Sequence, residues 1–364
     1  MPHVSPAAVP VVTVWGNFVA AINNGQNGIR ARSNIVVATI GTGTGTVVAA
    51  TSVLSGGTDG VAGLDHADLI GVDVVPRKGM FALRGTGVSV VNLADHSDST
   101  DWSTMLAFAL SEGCFVGSAT PLGDTLNSAE TALGTAGVDG YGLKAIFGDW
   151  VYWDDQVNGV TRLLSPATFW AGMRANLSPE QSTLNRPAAG VVGTQKSFSG
   201  GVYSSADLQG LIQARLDVIC NPVPGGSYFG IRSGNNVSSN PAVNGENYTM
   251  MTNFLAKSIA GWAGSNIGLL QTPAQRRQAK ASLDNFLLGL WRRNMIGNAQ
   301  GTQPWQVVLD GSNNPPDQVA LGYEVVAVKA QYLSVIRWFI VNLEGGQTVK
   351  ITTATNAPTF SQAA

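Results

Sequence analysis

The sequence predicts a mixed α/β fold: an α+β core carrying an inserted α/β layer domain, closed by a C-terminal arm strand that is exchanged between subunits. Three observations carry that expectation. Strand-like and helix-like segments alternate between residues 61 and 160, the signature of a parallel sheet with helical crossovers. A long helix pattern with clear end signals covers Pro273 to Ile296. Finally, Tyr323 to Val328 and Ile336 to Val341 are apolar at nearly every position, as strands covered on both faces are, while only a Thr/Ala/Ser-rich end follows them. A sticky terminal strand is a hazard in a monomer and a joining device in a polymer. Joining is the reading adopted.

Composition narrows the function classes. With 364 residues the chain can bury a large core without disulfides or metals. Charged residues make up 12%, about half the usual share, which suits a subunit packed among others. A net charge of −2 gives no electrostatic footprint for nucleic acid. Cys114 and Cys220 each sit in an apolar run and read as buried free thiols. Met1 to Pro6 lacks the features of a signal peptide, and no apolar run is long enough for a spanning helix, so no membrane insertion is expected.

Residues 1–60 read as β-rich, with strands at Val11–Trp15 and Ile35–Ile40, a Gly/Thr loop at Gly41–Thr46, and a closing turn at Ser55–Gly60. The Gly/Thr loop lacks the Gly-Lys-Ser/Thr ending of a phosphate site. Residues 61–160 form the inserted α/β domain: helices at Leu64–Val75, Asp101–Ser111 and Thr125–Leu133, strands at Val88–Leu93 and Cys114–Ala119, and a further strand within Leu143–Trp153. A C-terminal core follows over 161–318. In it Ser165-Pro166 opens a helix, Ser205 caps a short one to Leu211, Tyr228–Ser233 is a strand, and Glu246–Ala260 is helical. Arm strands occupy 319–351, and 352–364 is a flexible tail.

Strand ends in an α/β layer are where ligands sit. Asp95-His96-Ser97-Asp98, with Ser99, Asp101 and Ser103 beyond, places an imidazole among carboxylates and hydroxyls. No Gly-x-Ser-x-Gly elbow accompanies it, and Asp98 to Asp101 also suits capping of the next helix. An α/β hydrolase or nucleotide-binding enzyme centred on Asp95–Asp101 is the alternative reading. His3 and His66 stand isolated, so no metal, cofactor or catalytic residue is expected. Tyr141, Trp150, Tyr152 and Trp153 would make a sugar- or receptor-binding face if exposed.

In the helix at 273–296, Thr272 caps, Pro273 sits in the first turn, Gln275 completes a capping box, and Gly297 ends the run. Leu283, Phe286, Leu287, Leu290 and Trp291 form its buried stripe. Arg276, Arg277, Lys280, Arg292 and Arg293 make it the most basic segment of the chain. Those cations could meet an acidic protein surface, and Arg292 and Arg293 also complement the helix dipole.

Taken in order, Trp15-Gly16-Asn17, the Ser55–Gly60 turn, Ser165-Pro166 through Ala171-Gly172, Asn185-Arg186-Pro187-Ala188, Tyr228-Phe229-Gly230-Ile231-Arg232 and the closing Gly322-Tyr323 module resemble the tail sheath proteins of contractile bacteriophages and injection machines. The likeness runs from about Trp15 to Ile351 and rests on order and spacing. It implies a non-enzymatic subunit stacking as hexameric rings in a helical array of its own copies around a tail tube. Contraction then drives the tube through the host envelope for genome or effector delivery. Implied partners are the tube, baseplate and tail terminator proteins; the implied place is the virion tail, assembled in the host bacterial cytoplasm. Arg276, Arg277, Lys280, Arg292 and Arg293 would face the tube. Tyr323, Val325, Val326, Val328, Ile336, Trp338, Phe339, Ile340 and Val341 would form the inter-subunit strand, and the inserted domain would face outward. Only fourteen residues precede Trp15, so the N-terminal arm that the resemblance implies is expected to be missing.

Overall fold

The computed structural model describes residues 11–26, 31–32, 35–42, 63–221, 227–337, 339–345 and 349–355, the last two segments and residues 11–13 as backbone only. Most of the Gly41–Thr46 loop, the Ser55–Gly60 turn and Trp338 lie outside the described residues. The chain divides into two compact units, Met1–Ala62 and Gly63–Ala364.

In the first unit, Val11–Asn24 is a helix (α1), where a strand was expected. Val14, Phe18 and Ile22 recur every four residues, and Trp15 meets Phe18 one turn on with ring centroids 6.4 Å apart. That helical spacing outweighs the β-branched start. Ile35–Ile40 is not a strand either: Ala38 exchanges two 2.8 Å hydrogen bonds with the Asn23 side chain.

The second unit begins with a short helix, α2 (His66–Ile70), five residues long where Leu64–Val75 was expected. Strand β1 (Val90–Asn92) leads to α3 (Trp102–Glu112), β2 (Phe115–Ala119), α4 (Leu126–Ala136) and β3 (Leu143–Ile146). The three strands are parallel in the order β1-β2-β3, with Val90 opposite Phe115 and Val116 opposite Leu143. This is the layer that the alternation predicts. Gly113 and Gly137 end α3 and α4 in the left-handed conformation, which an L side chain rarely adopts.

Every residue of β2 is buried because both of its faces are covered. Phe115 and Ala119 point to one core with Trp170; Val116 points to the other, and Ser118 there accepts from Trp102 Nε1 at 2.9 Å. Phe115 meets Trp170 edge-on with centroids 4.9 Å apart. A Cβ on Gly117 would come within 2.2 Å of the Trp170 ring, so only glycine lets helix and strand approach this closely.

Trp170 belongs to α5 (Pro166–Ala175), preceded by β4 (Val151–Asp155) and β5 (Val160–Leu164) and followed by β6 (Val191–Thr194). These strands form an antiparallel sheet in the order β5-β4-β6. Next come α6 (Gln195–Phe198), α7 (Ser205–Gln213), capped by Ser204 rather than Ser205, and the short pair β7 (Ile219–Cys220) and β8 (Gly230–Ile231). Leu211, Leu216, Val218 and Val237 complete the core over β1–β3, so that core extends past residue 160.

The remaining elements are α8 (Glu246–Gly264), α9 (Pro273–Arg292), β9 (Trp305–Val308), α10 (Pro316–Ala320) and β10 (Ala327–Ala330). They enclose a third core of Met251, Leu255, Leu283, Leu287, Leu290 and their neighbours. The chain closes with β11 (Phe339–Gly345) and β12 (Val349–Thr355).

A buried ionic cluster joins the layers. Lys144 Nζ lies 2.6 Å from Asp217 Oδ2 and 3.4 Å from Glu246 Oε2, and donates to Asn235 O at 2.9 Å; the three charged side chains are fully buried. Glu246 also accepts from Trp170 Nε1 at 3.0 Å, Ser182 Oγ at 2.7 Å, and the Thr183 backbone and hydroxyl. Asp217 accepts from the backbone N–H groups of Val218, Arg232, Ser233 and Gly234. Burial alone would raise the Glu246 carboxyl, but Lys144 and the donors around it bring it down to about 2.

Removing one member of such a cluster leaves uncompensated buried charge, and Lys144→Met should cost about 3–5 kcal/mol in urea unfolding. Because the folded value of Glu246 lies below its ordinary 4.5, its contribution is complete above that value and lost as the pH falls toward about 2. Acid titration of the fold should show this loss, and Glu246→Gln should flatten it. Burial also raises Cys114 to about 11 and Cys220 to about 12, and both are free. Neither thiol should react with a disulfide reagent at neutral pH until the chain unfolds.

Candidate inter-subunit surface

The surface is built on α9. Thr272 Oγ1 accepts from Gln275 N at 3.1 Å, and Pro273 fills the first turn. The Gln275 side chain turns to Asn266 instead of back to the cap, so the expected capping box is half made. The helix stops at Arg292, four residues early, because Asn294 takes the left-handed conformation at φ 58. Gly297 serves packing: a Cβ there would come within 2.9 Å of Leu333.

The five cations of α9 divide by what they touch. Arg276 pairs with Glu324 at 3.2 Å and Lys280 with Asp284 at 2.9 Å. Arg293 Nε donates to Gly289 O at 3.1 Å and so serves the helix end. Arg277 and Arg292 are exposed and have no ion pair among the described residues. They stand fifteen residues apart, about 22 Å along the axis.

The arm differs from expectation in three respects. Tyr323–Val326 lies in no strand; Asn314 Oδ1 accepts from Val325 N at 2.7 Å, and the Asn313 and Asn314 amides donate to Val325 O. Strand β10 begins at Ala327 and pairs antiparallel with β9 of the same chain. Strand β11 pairs with β12 from Phe339 opposite Thr355 to Gly345 opposite Val349, so its partner runs from the expected arm into the first residues of the stretch expected to be a flexible tail. Val349, Ile351 and three threonines in seven residues are good strand formers. Hydrogen bonding of the arm therefore does not wait wholly on another copy. Among the described residues both sheets have two strands, so each strand has one outer edge to which no described strand pairs.

Among the expected strand residues, Tyr323, Val325 and Ile336 are exposed, and Val326 and Val328 are half-buried against the third core. The side chains of Phe339, Ile340 and Val341 lie outside the described residues. Sequence reasoning missed the turn between α8 and α9, where Ile267 and Leu270 are 83% and 82% exposed. Beside them a groove of about 360 Å³ runs between Trp262, Leu269, Leu309, Tyr323 and Val326. The signal was there in Ile267 to Leu270, an apolar run next to glycine and outside any periodic pattern.

The alternative site has a different geometry from the one expected. His66 is not isolated: its Nδ1 lies 2.7 Å from Asp101 Oδ2, and His96 Nε2 lies 3.0 Å from the same oxygen. Asp98 caps Thr100, as the capping reading holds. Among the described residues no serine hydroxyl bonds to either imidazole. Nor do the four aromatics expected to make a binding face stand exposed. Trp150 is buried, and Tyr141, Tyr152 and Trp153 are half-buried, Tyr152 packed on Phe198 at 4.4 Å.

The fold is similar to known ones. A chain of the contracted sheath complex of an extracellular contractile injection system, PVC, matches at a TM-score of 0.60 and 14% identity, over 72% of this chain and 71% of that one. A chain of the contracted anti-feeding prophage baseplate matches at 0.59 and 11%, over 73% and 74%. One of the contracted anti-feeding prophage helical sheath matches at 0.57 and 10%, over 71% and 70%. No family model and no curated protein matches the sequence. What is shared at such identity is the fold: the chain has the fold of contractile tail sheath proteins.

Arg277→Ala and Arg292→Ala should each change the stability of the isolated chain by less than about 0.5 kcal/mol, since both side chains are exposed and neither has an ion pair among the described residues. Asn314→Ala should cost about 1–3 kcal/mol, because it removes a buried side chain that bonds Asp310 O and both backbone groups of Val325. Thermal melts of the three variants check both statements.

Proposed function

We propose that this chain, with its contractile sheath fold, is a structural, non-enzymatic sheath subunit. It stacks as hexameric rings around a tail tube and shortens to drive the tube through a host envelope, delivering a genome or effectors. The observation that carries this reading is the fold likeness over about seven-tenths of both chains. The low charge content and the exposed apolar run between α8 and α9 support it, since both suit a surface meant to be covered.

In this reading the β11–β12 hairpin joins neighbouring copies by adding its outer edges to their sheets, and Tyr323 and Ile336 are covered in the process. Full covering of one large apolar side chain gains roughly 1.5–3 kcal/mol, so a few per subunit hold a polymer together. Such head-to-tail contacts produce open helical arrays. Arg277 and Arg292, which have no ion pair among the described residues, are cations that would meet an acidic tube surface. The layer built on β1–β3 faces outward. Baseplate and terminator proteins cap the two ends of the array, which sits in the tail of a phage particle assembled in the bacterial cytoplasm.

Deletion of residues 338–364 removes the hairpin and spares β10, whose Val328 and Ala330 belong to the third core. Full-length protein should form rings or tubes in negative-stain micrographs, and the deletion variant should remain a folded monomer by light scattering. Tubes formed equally well by the shortened chain would refute the joining role.

A further inference from the structure

Two of the chain's three histidines converge on one carboxylate, although sequence separates them by thirty residues. His66 is the first residue of α2, fixed by the capping box of Asp65 and Asp68. His96 follows Asp95, whose left-handed backbone at φ 55 turns the chain back so that His96 N bonds Leu93 O. Asp101 occupies the N-cap position of α3 yet makes no side-chain cap bond; its Oδ2 faces both imidazoles instead. Asp98 Oδ2 stands 3.6 Å from His66 Nε2.

One ligand atom from each of His66, His96 and Asp101 lies within 4.8 Å of the others. Four ligands at about 2.1 Å around a tetrahedral ion stand about 3.4 Å apart, so shifts of about 1 Å complete the arrangement. The half-exposed His66 ring on its five-residue helix can make most of that movement. His96 is only 3% exposed, and it is its Nε2, 3.0 Å from Asp101 Oδ2, that faces the cluster. An open cavity of about 680 Å³, lined by Leu64, His66, His96, Ser97, Asp98 and Pro121, gives access from solvent.

We propose that His66, His96 and Asp101 bind a single divalent transition-metal ion of the zinc type, with Asp98 or water in the fourth position. Two imidazoles and carboxylates suit such an ion better than calcium or magnesium, which take oxygen ligands. The ion would pin α2 onto the loop between β1 and α3. The proposal does not depend on the sheath reading.

The test uses the full chain, freed of any affinity tag and stripped with chelator. Zinc chloride should bind with one equivalent per chain in calorimetry and raise the melting temperature. Cobalt chloride should give the visible absorption of a four-coordinate ion. His66→Ala, which alters an exposed residue and should keep the native circular dichroism, should weaken zinc binding at least tenfold, as should Asp101→Asn. The absence of saturable zinc binding in the unmodified chain overturns the proposal. So does binding undiminished in both variants.

Discussion

The second unit depends on a lysine and two carboxylates that lie in its interior. Lys144 sits on β3, Asp217 at a parallel β-bridge to Ile146 just before β7, and Glu246 at the first residue of α8, and each would be prohibitive to bury alone. Together, with four backbone donors on Asp217 and four further donors on Glu246, they are satisfied. The geometry that satisfies them is narrow. It fixes the start of α8 against Trp170 of α5 and against the 182–183 and 232–235 segments. Since α9 and the β9–β10 sheet pack on α8, their placement follows from this cluster. Hydrophobic burial supplies the bulk of the stability, but it is non-directional. The ionic cluster makes one arrangement of the layers far better than its neighbours.

That cluster was the least legible part of the sequence, for a physical reason. Its members are separated by 73 and 102 positions along the chain and by 29 from each other's nearest end, so no local spacing reveals them. What could have revealed them is context: Lys144 within Leu143 to Phe147 and Asp217 within Leu216 to Cys220 are charges placed in apolar runs of a charge-poor chain. Elements governed by short-range rules were read well. The parallel layer, the buried stripe of α9 and the proline-led start of α5 follow from periodicity and end signals. Misreadings occurred where propensity and spacing conflict. At α1 the β-branched residues favoured a strand and the four-residue recurrence a helix; the recurrence prevailed. At Tyr323–Val326 the apolar density favoured a strand, but Asn313 and Asn314 occupy the backbone groups a strand partner needs.

The His66–Asp101–His96 constellation escaped notice in the same way as the buried cluster. His96 and Asp101 are close in sequence and were read together, but His66 belongs to an earlier helix that only the tertiary fold brings alongside. Its hydrogen bond to Asp101 holds the His66 imidazolium above its ordinary value, while the hydrogen bonds from Thr100 hold Asp98 below its own.

The contrast between core and periphery bears on how such a subunit works in the proposed assembly. A subunit that moves as a body while keeping its neighbours needs a stiff interior and compliant joints. In the interior, the hydrogen-bonded ionic cluster of Lys144, Asp217 and Glu246 disfavours other arrangements of the layers. In the proposed assembly the joints would be compliant, because a two-stranded hairpin is marginal alone and gains from any strand added at its edge. The two properties cannot be exchanged. An arm stabilised as firmly as the core would have no free edge to offer, and a core as open as the arm would deform under load before the joint did. In the proposed assembly the exposed Ile267, Leu270 and Tyr323 would follow the same logic, their apolar area gaining free energy only when a neighbouring copy covers it.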